Sequence, residues 1–207
     1  MEINQELDEW WENAHEQRNI KWLTGHWLAQ YLEYFKVHEE FRNAKSILEI
    51  GVGSGNAVKG MLAHDKAVSC VDISEIALEK LKPFVHETYN VTKMSKIPAQ
   101  SIDLAFSVTV TQHIDDKMLD HHLKYAIRSL KKDGIFCMQF SECEGKRDRM
   151  IKKPMEAQKH GGWSRTPEEM KQIIENQNGK VISCTNTMSG ADWAWFAAKI
   201  IPKDSSR

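Results

Sequence analysis

Apolar positions follow two rhythms along this chain. Ile3, Leu7, Trp10, Trp11 and Ala14 recur at helical spacing and predict an amphipathic helix over 3–16. Trp27, Leu28, Tyr31, Leu32 and Phe35 predict a second helix over about 24–36. From residue 46 the rhythm changes. Short apolar runs at 46–50, 67–72, 102–108 and 135–140 read as buried strands, with a weaker one near 87–91. Helical patterns separate them. One runs from about Asn56 to His64. A second, capped by Ser74, turns Ala77, Leu78, Leu81, Phe84 and Val85 inward. A third, capped by Asp115 or Asp116, turns Leu119, Leu123, Ala126, Ile127 and Leu130 inward and stops at Lys131, Lys132 and Gly134. Thr166-Pro167-Glu168-Glu169 combines a capping box with proline in the first turn and starts a last helix. Two final strands, at about 180–187 and 192–201, flank the hairpin-like turn Met188-Ser189-Gly190.

Alternating strands and helices predict an α/β fold, with a mainly parallel sheet covered on both faces. The terminal hairpin adds an antiparallel strand. The length of 207 residues suits a single domain over 1–207 with a substantial core. No internal repeat or low-complexity tract interrupts it.

Chemistry concentrates where the first strand of this alternation ends. Ser46-Ile47-Leu48-Glu49-Ile50 runs into Gly51-Val52-Gly53-Ser54-Gly55-Asn56. Glycines at alternate positions let the backbone turn tightly and approach a ligand. The helix that follows offers free N–H groups and the positive end of its dipole, which suit a carboxylate. The next strand ends in Val71-Asp72-Ile73, with Asp72 about 20 residues beyond the first glycine, where doubly wound folds place an acid on a ribose. These features point to a nucleoside-containing cofactor. Dinucleotide folds favour G-x-G-x-x-G, whereas Asn56 holds the last position here, and an NAD-binding oxidoreductase is disfavoured.

Leu48-Glu49-Ile50-Gly51-Val52-Gly53-Ser54-Gly55, with Asp72 in register, resembles the first motif of class I S-adenosylmethionine-dependent methyltransferases. The resemblance covers roughly 40–201. It implies a doubly wound, mainly parallel seven-stranded sheet with an antiparallel C-terminal hairpin and added N-terminal helices, and S-adenosylmethionine as cofactor. It also implies that Glu49, Gly51, Gly53 and Gly55 surround the amino-acid part of the cofactor. Asp72, with Ile73 beside it, takes the ribose hydroxyls, and Ser107 lies by the methyl donor. Met94 belongs to the run that usually contacts adenine. Many members carry an acid just before that run. Thr92 and Lys93 stand there instead, which leaves adenine to backbone groups around Met94.

The formal net charge of −1 disfavours a protein that coats nucleic acid. Cys70, Cys137, Cys143 and Cys184 have no zinc-like pairing and read as reduced thiols in a cytoplasmic protein, with no metal site expected. No apolar run approaches the ~18 residues of a membrane span.

Candidates for the transfer itself lie at strand ends, which face the ligand crevice. His113 follows the fourth strand. It is either a base that removes an acceptor proton or a structural tie for its loop. The segment 141–165 reads as an insertion near the acceptor pocket. Trp163 and Arg165 are substrate-binding candidates, and its basic run Lys146 to Lys153 reads equally as a solvated face. Residues 1–40 form a helical lid over the ligand or simply pack on the sheet. Arg18, Asn19 and Trp22 lie near its bend, with Trp22 a further substrate-binding candidate and His15 within reach.

The reading is methyl transfer to an oxygen or nitrogen of a small molecule or glycan precursor. An RNA or protein acceptor, or a non-catalytic cofactor-binding regulator, stands as the alternative. The Asn-Pro-Pro-Tyr-like signature of enzymes methylating amino groups of DNA bases and protein glutamine is absent, with Ser107-Val108-Thr109-Val110 in its place. The sequence leaves the oligomeric state open.

Overall fold

The order of elements follows from the chain's two rhythms. In the computed structural model, which describes residues 4–17, 21–190 and 193–203, α1 (Gln5–Gln17), α2 (Trp27–Phe35) and α3 (His38–Asn43) precede the sheet. There follow β1 (Ser46–Ile50), α4 (Val58–Leu62), β2 (Ala67–Asp72), α5 (Glu75–Leu81), β3 (Glu87–Asn90) and β4 (Ile102–Ser107). The second half holds α6 (Asp116–Ser129), β5 (Leu130–Cys143), α7 (Glu144–Lys152), α8 (Pro154–Lys159), α9 (Pro167–Asn176), β6 (Gly179–Ser189) and β7 (Trp193–Pro202). Single 3-10 turns cover Val91–Lys96 and Thr111–His113.

The strands form one seven-stranded sheet in the order β3-β2-β1-β4-β5-β7-β6. Neighbours from β3 to β5 are parallel, while β7 runs antiparallel to both β5 and β6. The doubly wound sheet with its antiparallel hairpin is thus the expected fold. Strand order reverses direction at β1, and that reversal opens a crevice at the carboxyl ends of β1, β2 and β4. Apolar side chains cover both faces. Leu48, Ile50, Leu123, Ile127, Phe136 and Ile174 lie in one cluster; Phe35, Phe41, Ile47, Val58, Leu81 and Phe106 lie in the other.

Local chemistry sets the element ends. Ser74 Oγ accepts from Ala77 N at the start of α5, and Asp115 accepts from Met118 N at the start of α6. The capping box at Thr166 and Glu169 is formed on both sides. Several expectations shift. The second helix starts at Trp27, because the backbone at Leu23 is left-handed and His26, at the N-cap, is non-helical. α5 ends at Leu81, so Phe84, expected inward, is 57% exposed while Val85 packs on the core. Leu130 is buried as expected, yet as the first residue of β5. The 141–165 segment contains α7 and α8, and α3 had no counterpart in the expected elements. Ile3, Arg18, Asn19 and residue 192, named in the sequence reading, lie outside the described residues.

Candidate active site

The crevice at the switch point holds a partly open cavity of about 160 Å³. Its floor comes from Gly51 and Gly53 after β1 and from Asp72 and Ile73 after β2. Both glycines have positive φ, 76° and 50°, which disfavours a side chain at either. A Cβ at Gly51 would collide with the Val110 side chain. A Cβ at Gly53 would meet nothing within 4 Å and would project into open space. The wall opposite comes from the loop after β4, with Thr109, Val110, His113 and Ile114. Met118 and His122 of α6, and Val91, close the far end.

Asp72 is held by its neighbours' amides. One carboxylate oxygen accepts from Gly53 N at 2.9 Å and the other from Ser74 N at 3.0 Å. Burial still raises its pKa, against these backbone bonds and the field of His15. A buried carboxylate on a cavity wall is suited to accept further hydroxyl donors. Glu49 lies beneath the turn rather than on the cavity wall. Tyr31 donates its hydroxyl to Glu49 Oε1 at 3.2 Å, and Glu49 Oε2 has no partner. Burial pushes its pKa up to about 8, with Tyr31 opposing and Asp72 adding to the rise.

α1 forms the roof. Leu7, Trp11 and His15 line the cavity. The Trp11 ring stands edge-on to His113 at 5.0 Å and stacks on His15 at 6.1 Å. Trp22 lies one layer further out, 6.0 Å from His15. Glu12 ties this helix to the start of α5, accepting from Ser74 Oγ at 2.7 Å and Glu75 N at 2.6 Å. Lys159 of α8 pairs with Glu6 at 2.6 Å.

His113 is oriented by the 141–165 segment. Its Nδ1 lies 2.8 Å from the Gln158 carbonyl, which can only accept, so Nδ1 carries the proton and Nε2 keeps its lone pair. Burial lowers its pKa, and the charges of Lys146 and His160 act in the same direction. The ring is therefore neutral near pH 7.

Arg165, expected at the acceptor, has its guanidinium occupied elsewhere. Nε donates to Asp116 at 2.9 Å, Nη1 to the Thr111 carbonyl at 3.0 Å and Nη2 to the Ile114 carbonyl at 2.9 Å. It is a strut beneath the His113 loop and does not reach the cavity. Trp163 is likewise outside the lining, under the Arg165 guanidinium at 5.3 Å, while its backbone N–H donates to Gln112 O at 3.0 Å. Met94 is fully buried in the core, and neither it nor Ser107 or Gly55 borders the cavity. A Cβ at Gly55 would press on Leu81 and Leu23, so that glycine serves packing.

Sequence reasoning missed His122. It is 4% exposed, lines the cavity and leaves Nε2 without a partner. Burial drives its pKa down to about 3, so it stays neutral. The only signal was a polar residue on the inward stripe of α6. Among the described residues, no group of three or more His, Cys, Asp or Glu is placed to hold a metal, and no helix is long and apolar enough to cross a membrane.

Glycine turn, buried acid and capped crevice at the switch point are the arrangement of a Rossmann-like fold suited to a nucleoside cofactor. Residues 48–138 match the family model of a methyltransferase domain, which supports the class I S-adenosylmethionine-dependent methyltransferases as the family of this chain. Its cofactor is S-adenosylmethionine. Among curated proteins none matches. Solved structures share the fold at low identity. The 1,6-didemethyltoxoflavin-N1-methyltransferase of Burkholderia thailandensis is 14% identical with a TM-score of 0.66, over 96% of this chain and 87% of that one. A TehB-like methyltransferase from Corynebacterium glutamicum is 16% identical with a TM-score of 0.61, over 96% and 97%. The mitomycin 7-O-methyltransferase MmcR is 14% identical with a TM-score of 0.61, and this chain spans 54% of its length.

Proposed function

We propose that the protein moves the methyl group of S-adenosylmethionine to an oxygen or nitrogen of a small molecule in a water-excluded site. When bound, the cofactor supplies an electrophilic methyl group on positively charged sulfur. Gly51 and Gly53 give its amino-acid part room against the backbone. Asp72 accepts the ribose hydroxyls. His122, with an unpartnered ring nitrogen at the apolar far end among Val91, Ile114 and Met118, recognises the edge of the base. This role fills the place of the acid that the sequence lacks near Thr92. Glu49 supports the turn from below through Tyr31.

The observation that carries the reading is one cavity with Gly53 and Asp72 on one wall and a neutral His113 on the other. A neutral imidazole with a free Nε2 can take the proton of an acceptor hydroxyl. Leu7, Trp11 and His15 exclude water above it, and orientation does most of the remaining work. The near-balanced charge and the absence of a basic face along the cavity support a small acceptor over RNA.

Binding and turnover test this directly. Calorimetry with S-adenosylhomocysteine should give a saturable isotherm, and NAD should give none. Asp72→Ala removes charge-assisted bonds worth about 1.5–3 kcal/mol each, so affinity should fall at least tenfold. Gly53→Val should abolish binding by filling the space its Cβ would enter. Wild-type affinity in both variants would refute the cofactor assignment.

A further inference from the structure

A second hollow adjoins the cofactor cavity and shares Thr109 with it as a common wall. It measures about 260 Å³ and opens to solvent between the start of α2 and the β6–β7 hairpin. Trp27 and Tyr34 of α2, Met188 of β6 and Trp195 of β7 supply its large walls. Gln30, Gln139 and Thr187 supply its polar atoms. Among the described residues, no Asp, Glu, Lys, Arg or His lines it.

We infer that this hollow binds the methyl acceptor, and that the acceptor is an uncharged planar aromatic molecule bearing a hydroxyl or ring nitrogen. The inference rests on the methyltransferase reading and names its substrate class. Its location does not follow the expected one, which placed the acceptor near Trp22, Trp163 and Arg165.

Four observations carry it. First, large apolar side chains are exposed here: Trp27 by 44% and Met188 by 53%. Exposed aromatic surface of this kind, gathered around a concave site, marks a binding surface. Second, Trp27, Tyr34 and Trp195 give the hollow aromatic walls, whose flat faces suit stacking with a planar molecule.

Third, the lining fixes the charge of the ligand. An anion would find no cation to pair with among the described lining residues. A cation would be drawn to the aromatic faces, yet it would approach a positively charged methyl donor. A protonated amine also has no lone pair to attack with. Uncharged amide and hydroxyl groups suit the edge of a neutral ring.

Fourth, the shared wall is strained. Thr109 holds φ at 59°, a conformation that a β-branched residue rarely adopts. Two amide side chains keep it there. Gln139 Oε1 accepts from Thr109 N at 3.1 Å, and Gln112 Nε2 donates to Thr109 O at 2.8 Å. Strain held in this way is characteristic of functional sites. Here it fixes Thr109, which lines both the cofactor cavity and the hollow, and Gln139 belongs to both the clamp and the hollow.

The test uses 2-naphthol as a neutral probe and 6-hydroxynaphthalene-2-sulfonate as the same ring with a charge. Binding is followed by calorimetry on the full chain saturated with S-adenosylhomocysteine. The neutral ring should bind, and the sulfonate should bind at least tenfold more weakly. Trp27→Ala and Met188→Asp both change solvent-exposed side chains and should leave thermal unfolding within a few degrees of wild type. Each should weaken 2-naphthol at least tenfold and leave S-adenosylhomocysteine affinity unchanged. Equal binding of both probes, naphthol binding that ignores both variants, or no naphthol binding at millimolar concentration overturns the inference. Loss of S-adenosylhomocysteine binding by the wild-type chain would instead overturn the methyltransferase reading beneath it.

Discussion

His113 is a half-buried imidazole and His122 a buried one, both held neutral, and their surroundings divide their tasks. His113 keeps one nitrogen on the Gln158 carbonyl and the other available. For a hydroxyl acceptor, His113→Ala should lower kcat by about 10²–10⁴ with little change in cofactor affinity. Because burial lowers its pKa, wild-type kcat/KM should rise with pH through a midpoint below the ordinary 6.5 and then stay flat. That limb should vanish in the variant, and a wild-type rate at saturating substrates would remove His113 as the base. His122 makes its own statement about stability. Its pKa is near 3 folded and near 6.5 unfolded. The unfolded chain therefore binds the proton first as pH falls. The stability tied to the neutral ring is complete above 6.5 and drains away between 6.5 and 3, by up to about 1.4 kcal/mol per pH unit. Urea unfolding at pH 7 and pH 5 should show a smaller pH difference for His122→Phe than for wild type. An unchanged difference would mean that the ring is protonated in the native state.

At the scale of elements, the loop after β4 owes its shape to the 141–165 segment. Arg165 spans the Thr111 and Ile114 carbonyls and Asp116, Gln158 holds His113, and the Trp163 amide holds Gln112. Arg165→Met would strand two buried carbonyls at a cost of ~2–5 kcal/mol. The expected result is a lower unfolding midpoint and a larger loss of kcat than of cofactor affinity; a stable, fully active variant would contradict the strut. This arrangement explains what the sequence could and could not disclose. Strands β1, β2, β4 and β5 were legible because short, mostly apolar runs of strand length recur between turn and helix signals, and the turn at Gly51 because its backbone demands leave few residue choices. Asp72 was legible by its place at a strand end. Arg165 was misread because a sequence shows a charge but not the carbonyls it meets, which lie some 50 positions away in the chain. Met94 was expected to serve adenine through backbone groups around it, and its side chain is buried in the core. His122 was missed because only the depth of the cavity turns a helical histidine into a ligand candidate.

At the scale of the whole molecule, α1 lies over the cavity at the sheet's carboxyl edge and, among the described residues, is tied by Glu12 to the start of α5 and by Glu6 to Lys159. The cavity of about 160 Å³ lies below the ~300–1,000 Å³ usual for small-molecule sites, with α1 lying across it. Entry of a nucleoside-containing cofactor therefore requires α1 to move away. Glu12 opposes that movement by its bonds to Ser74 and Glu75 at the positive end of α5, as does the Glu6–Lys159 pair. Both ties lie outside the cavity lining, so weakening them changes how often the lid opens without altering the pocket itself. Glu12→Gln removes the charge and reduces the acceptors from two carboxylate oxygens to one amide oxygen. Amide hydrogen exchange over α1 should then quicken in the free protein, and cofactor should both enter and leave faster. In wild type, S-adenosylhomocysteine should slow exchange around Trp11 and Trp22, because the closed roof gains a ligand to pack against. If α1 exchanges at the same rate with and without ligand, and in Glu12→Gln as in wild type, the helix is a fixed part of the core and the cofactor must enter by another route.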